Sequence, residues 1–188
     1  VLGHARFLSG ERAEAMESYE LALTKEPDLG ENVRLGEHLR ASLEWEPSRK
    51  KGALLLARFG GDEGLAFLAQ KTNSALSPFD ERVAARRALV EAGHEEEVDW
   101  LTSLTADFHE QKRCKDRRQI IEQMAETGNP GFLPLLEQFR PVTTKRGRKT
   151  VTTNPCIGTA VLDAIEKLSA IEEERADAGD GAADASAS

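Results

Sequence analysis

The chain has 188 residues, 39% of them hydrophobic and 31% charged, with a formal net charge of −8 at pH 7. That length can bury one core, or one continuous array core, without staples, and the composition suits amphipathic helices. The acidic total argues against general nucleic-acid binding, and the longest apolar run, Gly52 to Ala57, is far short of the roughly 20 residues a bilayer span needs.

In chain order, the first element is an amphipathic segment from Leu2 to Pro27, broken at Ser9–Gly10. Its small and aromatic residues fall at Leu2, Gly3, Gly10, Ala15, Tyr19, Ala22 and Pro27. This spacing resembles one tetratricopeptide repeat, in which small residues let two antiparallel helices approach and proline closes the unit. Arg6 departs from the aromatic expected there, and the start of the first helix is missing, so Val1 is expected to be a fragment boundary with further repeats before it. Asp28 is placed to cap the next helix, Leu29 to Trp45.

Three similar units follow, centred on Gly60, Gly93 and Gly128, which lie 33 and 35 residues apart. Eleven residues before each glycine stands an arginine, Arg49, Arg82 or Arg117, and four before stands Leu56, Leu89 or Met124. Five and eight after come Leu65 and Leu68, Val98 and Leu101, Leu133 and Leu136. That period belongs to helix–turn–helix repeats. The first helices are expected over 48–59, 78–92 and 110–127, and the second over 62–71, 95–108 and 130–139. Ser77–Pro78, Asn129–Pro130 and Asn154–Pro155 each offer an N-cap followed by proline at the first helical position. Gly52 stands where the other units carry Ala85 and Ile120, a cost of about 1 kcal/mol against alanine that should make the first unit the loosest. The three units resemble short bacterial HEAT-like repeats over Ser48 to about Arg140.

A final helix is expected from Pro155 to about Glu173. Beyond it the chain turns to alanine, aspartate, glycine and serine, with no apolar face, and should be disordered. The expected organisation is therefore tetratricopeptide-like helices over 1–47, three HEAT-like pairs over 48–140, a basic loop over 141–155, a terminal helix over 156–173 and a disordered acidic tail over 174–188. The expected fold class is all-α, a right-handed α-α superhelix of antiparallel helix pairs.

The arginines at repeat register suggest either a cationic ladder along a groove or, as repetition favours, stems and guanidinia that pin helix ends. Lys145, Arg146, Arg148 and Lys149 crowd a 15-residue connection with no acid and no aromatic, which reads first as a solvated flexible loop and otherwise as a contact for an acidic protein surface, the chain's own acidic tail or nucleic-acid phosphates, without base stacking. Cys114 and Cys156 flank the third unit; a disulfide and two reduced core thiols both fit. His4, His38, His94 and His109 show no metal-ligand spacing and read as surface or cap residues. Trp45 and Trp100 suit core packing, with Trp100 a candidate hot spot if exposed. No catalytic, cofactor or metal constellation is read from the sequence.

The segments Cys114–Phe139 and Asn154–Leu168 resemble the C-terminal repeat region of myxobacterial-type serine/threonine kinases. The resemblance implies a non-catalytic interaction module, with the kinase domain upstream and a protein partner rather than nucleic acid. The alternatives are a HEAT-like-scaffold enzyme, a nucleic-acid binder using the basic loop, or a self-assembling structural subunit. The cytoplasm is the expected location for reduced thiols, an extracytoplasmic one for a bonded pair.

Overall fold

The computed structural model describes residues 2–146 and 149–184, with side chains placed over 2–145 and 151–176. The chain is 78% helical, with ten α-helices and one small hairpin among the described residues, so it is all-α in class. It divides into two compact units, 1–99 and 100–188. The boundary falls inside the middle helix pair of the repeat reading.

The first unit holds α1 (Leu2–Leu8), α2 (Arg12–Lys25), α3 (Val33–Ala41), α4 (Glu46–Phe59), α5 (Gly61–Thr72) and α6 (Phe79–Ala92). The break between α1 and α2 is at Gly10, whose φ of 91° is open to glycine at little cost. The stretch expected as one helix over Leu29–Trp45 is instead a 3₁₀ turn at Pro27–Glu31, then α3, then a second 3₁₀ turn at Ser42–Glu44. The cap is Asn32, not Asp28: its side chain accepts from the Leu35 amide at 3.1 Å. Helix α4 is central, packing against α2, α3, α5 and α6. It buries Ala53, Leu55, Leu56 and Ala57, while Leu89 of α6 and Leu68 of α5 are fully buried.

Two glycines in α4 and its exit do work that the periodicity hides. A Cβ on Gly52 would lie 1.7 Å from the Ser42 hydroxyl oxygen and 3.3 Å from the Met16 sulfur. Gly52 is thus a point of close approach rather than a weak spot, and its helix-propensity cost accompanies dense packing of the Ser42 turn onto α4. In this unit the left-handed residue is Gly61, with φ 55°, whereas Gly60 has φ −81°. Gly60 is held to glycine by space, since its Cβ would meet the Leu56 carbonyl oxygen at 2.5 Å. At the other two turns Gly93 and Gly128 do adopt positive φ, 84° and 63°.

The second unit holds α7 (Trp100–Glu110), α8 (Cys114–Glu126), α9 (Leu133–Gln138) and α10 (Gly158–Asp184). Its core joins Leu104 and Phe108 of α7, Ile120, Ile121 and Met124 of α8, Phe132 and Leu136, and one face of α10. Helices α7 and α8 both begin several residues later than expected; a 3₁₀ turn at Glu95–Glu97, in the first unit, occupies part of the predicted span of α7. Of the three expected caps, Asn129 accepts from the Gly131 amide at 2.9 Å. Ser77 makes no such bond, since Pro78 stands at the cap of α6 without a side-chain hydrogen bond. Asn154 sits at φ 50° and donates its amide to the Phe139 carbonyl at 3.1 Å, so it ties down the loop instead of capping a helix.

The connection over 141–155 is not an irregular loop. It forms an antiparallel hairpin, β1 (Thr143–Arg146) and β2 (Lys149–Thr152), in which Thr143 faces Thr152 and Thr144 faces Val151. β-branched threonine and valine favour the pleated conformation, a local preference the charge pattern obscured. The last helix also departs from expectation, running to Asp184 rather than ending near Glu173. Extending a helix already anchored by a buried face needs no new nucleus, and alanine is the best extender. Residues 185–188 of the expected tail lie outside the described residues.

Candidate functional site

The recurring arginines each donate to a carbonyl just upstream, Arg49 and Arg117 through Nε to the sixth residue back and Arg82 through Nη1 to the fifth. Arg49 Nε donates to the Leu43 carbonyl at 2.6 Å, and Arg117 Nε donates to the Gln111 carbonyl at 2.7 Å. Arg82 Nη1 donates to the Ser77 carbonyl. In each case the acceptor lies five or six residues upstream, in the connection that leads into the arginine's own helix. Arg49 reaches Asp80 as well, at 3.4 Å, and Arg117 lies over the Phe108 ring at 5.0 Å. Arg82 is fully buried. These side chains pin the entry of each helix, and a charge-assisted bond to a carbonyl is the stronger kind.

Lys145 is exposed on β1. Arg146 and Lys149 occupy facing positions of the two strands, and Arg148 lies outside the described residues. The hairpin is tied at its base by Val142 and Thr153, with the Thr153 amide donating to the Val142 carbonyl at 3.0 Å. Trp100 is half-buried against the second core, so packing uses part of its surface. Trp45, by contrast, is 45% exposed, and the Arg12 guanidinium lies 3.8 Å from its ring centroid, a cation–π contact.

Cys114 and Cys156 are bonded, with their Cα atoms 5.8 Å apart. The bridge joins the first residue of α8 to the turn before α10, and both cysteines are exposed rather than in the core. Arg118, one turn along α8, donates Nη2 to the Cys156 carbonyl at 3.0 Å.

The histidines hold a cluster that their sequence spacing does not reveal. The Tyr19 hydroxyl lies 2.6 Å from His38 Nδ1 and 3.0 Å from His4 Nδ1, and the two Nδ1 atoms are 3.3 Å apart. Phe7 stacks on His38 at 4.1 Å. With both rings neutral the three contacting atoms are compatible: one imidazole Nδ1 accepts the phenol proton and the other donates to the phenol oxygen. Burial lowers both histidine pKa values from 6.5, helped by the charge of Arg34, and burial raises that of Tyr19 to about 12. The only visible signal was indirect: Gly3, beside His4, leaves room for the Tyr19 ring, which a Cβ would meet at 2.5 Å.

This cluster gives a pH prediction with a definite sign. The fold favours the neutral rings, so below pH 6.5 the unfolded chain binds more protons than the folded one. Stability present above that pH is lost as pH falls toward the lowered folded values. The unfolding temperature should drop between pH 7.5 and 5.5, and replacing His4 and His38 by glutamine should flatten that drop. An unchanged slope in the double variant would remove these two rings as its source.

No protein-family model, curated protein or solved structure matches this chain.

Proposed function

We propose that this chain is a non-catalytic protein-interaction module, a solenoid of helix pairs belonging to a larger bacterial protein such as a serine/threonine kinase. The observation that carries the reading is the recurrence of one kind of bond. Three arginines, at one register and in both units, each donate to a carbonyl in the connection that enters their own helix, two of them through Nε to the sixth residue back. A repeated structural device of this kind supports a repeated supersecondary unit, and stacked helix pairs present extended surfaces suited to peptides and helices. The exposed Lys145 and the basic strands around it supply a patch for an acidic partner surface. The bonded cysteines support an oxidising, extracytoplasmic location.

The test is affinity capture from lysate of the source organism, with quantitative proteomics and a nuclease-treated parallel. Charge reversal at Lys145, Arg146 and Arg148 should weaken capture of the enriched protein while leaving the unfolding temperature unchanged. Capture that survives the reversal would remove the hairpin from the binding surface. Enrichment that disappears with nuclease would transfer the patch to nucleic acid.

A further inference from the structure

The Cys114–Cys156 bridge lies at the surface with both cysteines exposed, and exposed disulfides are among the more readily reduced. Cys114 is the first residue of α8, where backbone amides are unpaired and the helix dipole favours an anion. In sequence it is flanked by Lys112, Arg113 and Lys115, and one turn along lies Arg118, whose guanidinium reaches the Cys156 carbonyl at 3.0 Å. The one acid in this turn, Asp116, is held by Arg113 at 2.7 Å. Cys156 lies outside its helix, two residues before α10 begins. The two sulfurs therefore sit in unequal surroundings, and the Cys114 thiolate is the better stabilised of the pair.

What the bridge holds is equally uneven. Helix α10 is anchored independently, with Val161, Ala164, Ile165 and Leu168 buried in the second core, where Ile157 just before it is buried too. The hairpin stem is tied by hydrogen bonds of Val142, Thr153 and Asn154. Opening the bridge would remove the covalent tie of the Cys156 turn to α8, leaving the Arg118 hydrogen bond and the core in place.

We propose that Cys114–Cys156 is a thiol-exchange site, opened by a dithiol and reclosed without global unfolding. The incoming thiolate attacks Cys156 Sγ, the protein S–S bond breaks, and its electron pair leaves on Cys114 Sγ, the better leaving group. A mixed disulfide now joins Cys156 to the attacking dithiol. The second sulfur of that dithiol, as thiolate, displaces Cys156, which takes up a proton. Two electrons pass to the protein, and the dithiol ends as a disulfide. The reduced Cys114, at the N-terminus of α8, is then placed to attack an oxidised partner as thiolate and restore the bridge.

The experiment uses the intact chain and dithiothreitol in native buffer, with iodoacetamide labelling read by peptide mass spectrometry and circular dichroism recorded in parallel. The bridge should open without denaturant, with helicity retained. At pH 6.5 Cys114 should then alkylate about threefold faster than Cys156, because the helix N-terminus favours its thiolate. With Cys114→Ser, glutathione disulfide should leave a stable mixed disulfide on Cys156, since no resolving thiol remains. A bridge that opens only in denaturant, equal alkylation rates, or loss of helicity on reduction would each overturn the proposal. So would two free thiols in protein purified under oxidising conditions.

Discussion

Replacing Arg82 by alanine should lower the unfolding free energy by about 1.5–3 kcal/mol, the range for a hydrogen bond made by a charged group. The side chain is fully buried in α6, and its guanidinium donates to the Ser77 carbonyl at the entry of that helix. Truncation removes the packed stem together with the donor, leaving a carbonyl to be desolvated without its partner. Lysine should not restore the loss, because an ammonium point charge cannot reproduce a planar fork of donors. Arg87 provides the control: it is exposed on the same helix, and its alanine variant should stay within about 0.5 kcal/mol of the parent. Urea unfolding of the three variants decides the role of the recurring arginines. A stable Arg82→Ala protein that had lost its partner would restore the cationic-ladder reading.

The helical class, the main turns and the burial of Leu56, Leu89 and Met124 were legible because they depend on periodicity, whereas Leu101, also expected at an apolar register position, is 37% exposed. Leu56, Leu89 and Met124 all have relative exposures of 1% or less, as their common offset from the glycines implied. What periodicity could not reach was contact between residues distant in sequence. Gly52 reads as a defect when only helix propensity is considered and becomes intelligible once the Ser42 hydroxyl is seen against it. The same holds for His4, Tyr19 and His38, which share no local motif because three different helices bring them together. Local chemistry misled in a different way at the hairpin. The basic residues drew attention to solvation, while the threonines and Val151 carried the strand signal.

The companion prediction concerns Leu89, which is also fully buried in α6. Leu89→Ala should destabilise by about 2–5 kcal/mol, because the lost transfer free energy is joined by the cavity left in a core that relaxes only partly. Leu89→Met keeps the volume nearly constant and should cost less than about 1.5 kcal/mol. Val90, the next residue, is 40% exposed, so Val90→Ala should fall within about 0.5 kcal/mol of the parent. The contrast between adjacent positions tests the helical face itself, since a one-residue shift would exchange their effects. Extending it to Leu56→Ala and Met124→Ala asks whether the offset means the same thing in both units. Losses of similar size at all three would support a true repeat register. A neutral Met124→Ala would confine that register to the first unit, and the bond from Arg117 to the Gln111 carbonyl would then need an explanation other than repetition.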